Sequence, residues 1–198
     1  MGLRAAAALV LLAALVSCAQ LPAPAPGNEM EFELAGRIGM RYREEASSGQ
    51  LVWRHSETLD DMLISSPFGQ GIAQIRREQT KVTLSTADGR SYQAGDAETL
   101  TLQVLGFRLP LAGLADWVRG KASAQLPITE EKRDAAGRLV LLGQGGWRVE
   151  YLGYRDEEPG AGLPAQLRLY YPSDAIPEIE LRVSVTDWRV MPRKAGAP

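Results

Sequence analysis

The chain has 198 residues, 45% of them hydrophobic and 23% charged, with a formal net charge of −2. That balance is ordinary for a globular protein, and no basic patch marks a nucleic-acid site. With one cysteine in the whole chain no internal disulfide can form, so the fold must rest on its core.

The first element is apolar. Arg4 precedes an unbroken run from Ala5 to Val16. The run is shorter than the about 20 residues that a membrane-spanning helix needs, and it has the length and flanks of a signal-peptide core. Leu15-Val16-Ser17-Cys18 closes it and resembles the bacterial lipobox. In lipoproteins of that kind the cysteine is lipidated on sulfur, becomes the first mature residue and is acylated on its amine. The competing reading is an ordinary signal peptide with a chance cysteine near its cleavage site. A single odd thiol in a secreted chain calls for a special explanation, and lipidation of Cys18 supplies one. In the lipoproteins it resembles, an aspartate after the cysteine retains the protein in the inner membrane; Ala19 therefore implies the outer membrane, facing the periplasm. Gln20 to Glu29 alternates prolines, which favours an extended tether holding a folded domain roughly 30 Å from the bilayer. The expected organisation is a signal peptide at 1–17, a lipidated cysteine and tether at 18–31, one folded domain at 32–191 and a tail at 192–198.

Phe32 to Tyr42 alternates cleanly. Phe32, Leu34, Ile38, Met40 and Tyr42 share one parity, and Glu33, Arg37 and Arg41 the other, as in an antiparallel strand with one wet face. After a polar turn around Glu44 to Ser47, Gly49, Leu51 and Trp53 repeat the pattern. Leu59–Ser65, Ile72–Arg76, Val82–Thr86 and Ser91–Ala94 read as further short strands, with turn signals at Ser66–Gly71 and Asp88-Gly89. The period then changes. Asp96 can cap a helix carrying Leu100 and Val104 and ending at Gly106. Pro110 can open a second helix with Leu111, Leu114 and Val118 on its stripe and Trp117 beside it, ending at Gly120. Strands resume at Ile128–Lys132, Leu139–Leu142, Trp147–Tyr151, around Leu167 and Leu169, at Ile179–Val185 and at Asp187–Val190.

About ten to eleven alternating strands with a helical pair inserted midway predict a mainly β fold, a single antiparallel sheet curled into a barrel. A barrel of that size can hold a ligand. The inward parity nominates Met40, Leu51, Trp53, Ile64, Val149, Tyr151 and Leu169 as cavity-lining residues. Leu100, Val104, Leu111, Leu114 and Trp117 would form the helical lid.

No catalytic set emerges. His55 is the only histidine, and a strand-end or surface role suits it better than catalysis. There is no Gly-x-Ser-x-Gly elbow and no cluster of metal ligands. Asp60-Asp61, Glu130-Glu131 and Glu157-Glu158 are adjacent pairs; on a strand such neighbours point to opposite faces, and in turns they are solvated. No cofactor or metal is expected.

The residues resemble the outer-membrane lipoprotein receptor family LolB. The resemblance runs through Leu34-Ala35-Gly36-Arg37-Ile38, Ser48-Gly49-Gln50-Leu51-Val52-Trp53 and Ser66-Pro67-Phe68-Gly69. It continues through Leu109-Pro110-Leu111, Trp117-Val118-Arg119-Gly120, Gln144-Gly145-Gly146-Trp147-Arg148-Val149 and Asp187-Trp188. It implies an incomplete barrel with helices across a hydrophobic cavity. It also implies a monomer that accepts the acyl chains of lipoproteins from a LolA-type periplasmic carrier and places them in the outer membrane. In the family the loop matching Ser66–Gly69 protrudes and helps deliver cargo, which makes Phe68 the expected membrane-insertion residue; the other reading has Phe68 folding back onto the barrel edge. Two other functions stay open on the sequence: a lipoprotein that binds a partner protein during envelope assembly, and a cell-envelope hydrolase.

Overall fold

The computed structural model describes residues 30–42, 44–105, 108–109, 111–158, 160–171 and 178–191. The signal peptide, Cys18, most of the tether, Gly106, Pro110 and the tail at 192–198 lie outside the described residues. Eleven strands run β1 (Phe32–Tyr42), β2 (Glu45–His55), β3 (Leu59–Ser65), β4 (Gly71–Glu78), β5 (Lys81–Thr86), β6 (Ser91–Ala94), β7 (Ile128–Arg133), β8 (Leu139–Gln144), β9 (Trp147–Tyr154), β10 (Pro164–Tyr171) and β11 (Ile179–Val190). Between β6 and β7 lie helices α1 (Ala97–Leu105) and α2 (Leu111–Trp117).

The strands form one antiparallel sheet in the order β6-β5-β4-β3-β2-β1-β11-β10-β9-β8-β7. Sheet neighbours are chain neighbours except where β1 meets β11, so the first and last strands meet at the centre and β6 and β7 become the free ends. The barrel is thus incomplete, as expected. Alternation places Phe32, Leu34, Leu51, Trp53, Met62, Val149, Leu167, Leu169, Leu181 and Val183 in one buried core with Leu111, Leu114 and Trp117 of α2. The residues between them on each strand, such as Glu33, Arg54, Arg148 and Arg182, form ion pairs on the outer face.

Local chemistry fixes the connections. Asp96 caps α1, accepting a 2.7 Å hydrogen bond from the Thr99 N–H, as the sequence predicted. Gly145 and Gly146 both have positive φ, 58° and 80°, the backbone that a tight two-residue turn from β8 to β9 requires. The first hairpin differs from expectation. Tyr42 pairs with Glu45, so Glu45–Ser47, expected in the turn, is strand. β2 pairs with β1 along its whole length but with β3 only from Gln50 onward. The β1–β2 hairpin therefore stands above β3 over Glu45–Gly49.

Candidate functional site

The register defines two ends of the barrel. At the lower end, Phe32 packs edge-on against Trp53 at 5.2 Å and Trp188 at 5.5 Å and stacks on His55 at 4.8 Å. Asp60 is 1% exposed there. Its Oδ1 accepts a hydrogen bond from Trp53 Nε1 at 2.9 Å and lies 2.6 Å from His55 Nδ1, and its Oδ2 accepts from Arg77 Nε at 2.6 Å. This corrects the expected surface role of His55: it ends β2, but its ring is buried, because a carboxylate inside the barrel needs donors around it. Asp61, on the opposite face, is also buried and accepts from Gln74 Nε2 at 2.6 Å, so it is not solvated. The set closes the barrel's end and holds no nucleophile or substrate space. No group of metal-ligating side chains occurs among the described residues.

The side towards β7–β9 is filled. Trp117 Nε1 donates to Gln144 Oε1 at 2.9 Å, which also accepts from the Ser123 N–H at 2.8 Å. Gln144 Nε2 donates to the carbonyls of Ser123 and Leu126. Every polar atom of this buried amide is paired, which anchors α2 to β8. The sequence offered no signal for that role beyond the family resemblance. Trp147 meets Tyr171 edge-on at 5.3 Å. Tyr151 stacks on Tyr154 at 6.0 Å, and its hydroxyl has no hydrogen-bond partner among the described residues. Burial pushes the phenol pKa of Tyr151 far above its usual value and that of Tyr154 up to about 12.

The side towards β1–β5 is hollow. A cavity of about 210 Å³ opens at the upper end. Met40 and Leu181 stand near its mouth, with Ile38 and Val183 one step below. Ile64 and Ala73 face each other on β3 and β4, and below them Met62, Ile75 and Leu84 run across three strands. Leu114 of α2 and Leu109 close it from the side opposite the sheet. Apart from Ser47 and Ser48 at the mouth, every lining residue is apolar or glycine. A larger recess of about 500 Å³ has a mixed lining, with Arg77, Asp96, Glu98 and Arg108 beside Val82, Ala97 and Leu111.

Of the seven expected cavity residues, the structure places Met40 and Ile64 on the cavity wall. Leu51, Trp53, Val149, Tyr151 and Leu169 are buried in the core, and none of them lines this cavity. Of the lid residues, Leu114 reaches the cavity, Leu100, Leu111 and Trp117 are packed core, and Val104 is half-buried against it. Parity alone could have nominated Ile38, Met62, Ile75, Leu84, Leu181 and Val183.

The β3–β4 loop rises at the same upper end. Ser66 N–H donates to the Gln70 carbonyl and Gly69 N–H to the Ser66 carbonyl, so the loop closes on itself. Phe68 at its tip is 92% exposed, and Ile72 beside it is exposed at the cavity rim. The ring does not fold back onto the barrel edge. An apolar cavity thus opens beside a protruding aromatic side chain.

A family model described as "Outer membrane lipoprotein LolB" matches residues 30–188. An outer-membrane lipoprotein LolB of Nitrosomonas europaea is 36% identical over 158 residues, 80% of this chain and 72% of its own. Those of Dechloromonas aromatica and Pseudomonas paraeruginosa are 32% and 34% identical, over 93% and 83% of this chain and 96% and 76% of theirs. A solved LolA superfamily protein from Nitrosomonas europaea overlaps 87% of this chain and 91% of its own, with a TM-score of 0.45 and 7% identity. On the extent of the sequence match, the chain belongs to the outer-membrane lipoprotein LolB family.

Proposed function

We propose that this chain takes lipoproteins from a LolA-type carrier in the periplasm, shelters their acyl chains in the cavity and passes them to the outer membrane. Lipidated Cys18 holds it on the periplasmic face of that membrane, residues 18–31 act as the tether, and residues 32–191 work as a monomeric binding domain. Acyl mass on a mature chain beginning at Cys18 is the expected result of mass spectrometry. An unmodified Cys18 would count against the anchor.

The observation that carries the reading is the apolar cavity opening beside the exposed Phe68. Each methylene removed from water contributes about 0.8 kcal/mol, so modest differences in fit between carrier and receptor set the direction of transfer without nucleotide. A cavity of ~150 Å³ holds a benzene ring, so 210 Å³ has room for part of one chain, and uptake has to widen it. The walls can give on this side because their lining atoms lack partners across the void.

Phe68 is the membrane-facing group. An exposed ring at a turn tip contributes nothing to the core, but against a bilayer it gains its burial energy. Phe68→Glu should shift stability by less than ~0.5 kcal/mol, as for other surface changes, leave uptake from the carrier intact and stop delivery into liposomes. Normal delivery by a folded Phe68→Glu protein would remove Phe68 from the mechanism.

A further inference from the structure

The overhang of the first hairpin leaves a strand edge open at the cavity mouth. Over Glu45–Gly49, β2 pairs with β1 on one side, and no described strand pairs with the other. That edge is ~17 Å long at strand rise. Along it, alternate residues turn their N–H and C=O groups away from β1.

Proteins ordinarily protect such edges with charge, proline, bulges or a covering element. The two end strands of this sheet are protected. β7 carries Glu130, Glu131, Lys132 and Arg133, and β6 lies against α1. Beyond the charge of Glu45 at its tip, the overhang has none of these among the described residues. Ala46-Ser47-Ser48 has small, uncharged, exposed side chains, and Gly49 follows with none. Among the described residues nothing screens the backbone of Ala46, Ser47 and Ser48 from an incoming chain, and Gly49, buried against Ser65 and Ile64, marks the foot of the edge.

The position of the edge matters as much as its chemistry. Ser47, Ser48 and Gly49 also line the cavity. Gln50 Nε2 donates to the Pro67 carbonyl, which ties the Phe68 loop to the foot of the same edge. A ligand with acyl chains in the cavity must leave its polypeptide here.

We propose that the β2 edge over Glu45–Gly49 binds the extended polypeptide segment that follows the acylated residue of a cargo, adding it to the sheet as a short strand. This rests on the reading that acyl chains occupy the cavity. Edge groups at strand spacing are complemented along their length by another extended backbone, not by a lipid headgroup. Main-chain pairing reads no side chains, so one edge serves cargoes of different sequence. A few such bonds hold the segment weakly enough to release it at the membrane.

The test uses the full chain and two synthetic triacylated lipopeptides with the same glycine- and serine-rich tail. One has N-methyl groups on alternate tail amides. Hydrogen exchange and affinity are measured with each. The unmodified tail should slow exchange of alternate amides within residues 45–49, and methylation should abolish that protection and weaken binding about tenfold, the loss of two modest hydrogen bonds. Equal affinities, with residues 45–49 exchanging as in the free protein, would overturn the edge site while leaving the cavity reading intact. Failure of both lipopeptides to bind would overturn the two together. Protection that appears without ligand and grows with protein concentration would assign the edge to a second copy of the chain and overturn the proposal.

Discussion

On the β7–β9 side the concave face is packed with rings: Trp117 hydrogen-bonded to Gln144, Trp147 edge-on to Tyr171, and Tyr151 stacked on Tyr154. On the β1–β5 side Met40, Met62, Ile64 and Leu84 stand in equivalent inward positions and leave about 210 Å³ empty. Both sides obey the same alternation. The difference is side-chain size and shape, and whether a helix residue comes across to fill the space. Trp117 fills one side; one turn earlier, Leu114 only walls the other. Rigidity and capacity are thus divided between two halves of one sheet.

Truncation should expose that division most strongly. Leu142 is wholly buried on the packed side, and Leu142→Ala should cost towards the upper end of the ~2–5 kcal/mol range for such changes. Leu84 is equally inaccessible but lines the void, so it has fewer contacts to lose, and Leu84→Ala should fall at the lower end, ~2 kcal/mol. Urea denaturation of the pair measures both. Equal costs would mean that the cavity wall is packed as tightly as the β8 side.

Enlargement should show the reverse order. Val149→Phe adds volume where none is free and should cost ~1–3 kcal/mol. Ile64→Phe has the cavity to enter, so it should cost less than ~1 kcal/mol and reduce the amount of lipopeptide bound. A large loss of stability at Ile64 with binding unchanged would place the void elsewhere.

These sites also show how far the sequence could be read. Strand positions from Phe32 to Val190 were legible because alternation depends only on which face meets water. The Asp96 cap was legible because its partner lies three residues away. The cavity was not, since parity marks Leu51 and Ile64 alike as inward, and only the three-dimensional arrangement shows that one is packed and the other borders space. His55 and Asp60 looked unremarkable because Arg77, which completes their cluster, comes from β4. Most of the free edge fell in the turn expected around Glu44 to Ser47, because Ala46 and Ser47 are small and offer no strand pattern, the property that leaves their backbone accessible.

The smallest expected effect concerns the packed side. The Tyr151 hydroxyl is buried without a partner among the described residues, and an unpaired buried polar group costs ~1–3 kcal/mol. Tyr151→Phe should therefore be neutral or raise stability by up to ~1 kcal/mol in thermal melts. A clear destabilisation would reveal a hydrogen bond to that oxygen and a wetter packed side.

The division between halves is tested most directly by a lipopeptide carrying a photoreactive group within an acyl chain, cross-linked to the full protein and mapped by mass spectrometry. Adducts should fall on Met40, Met62, Ile64 and Leu114, which surround the void, and not on Val149, Tyr151 or Leu169. Adducts concentrated on those last three would contradict the account, because the acyl chains would then enter the side packed with aromatic rings.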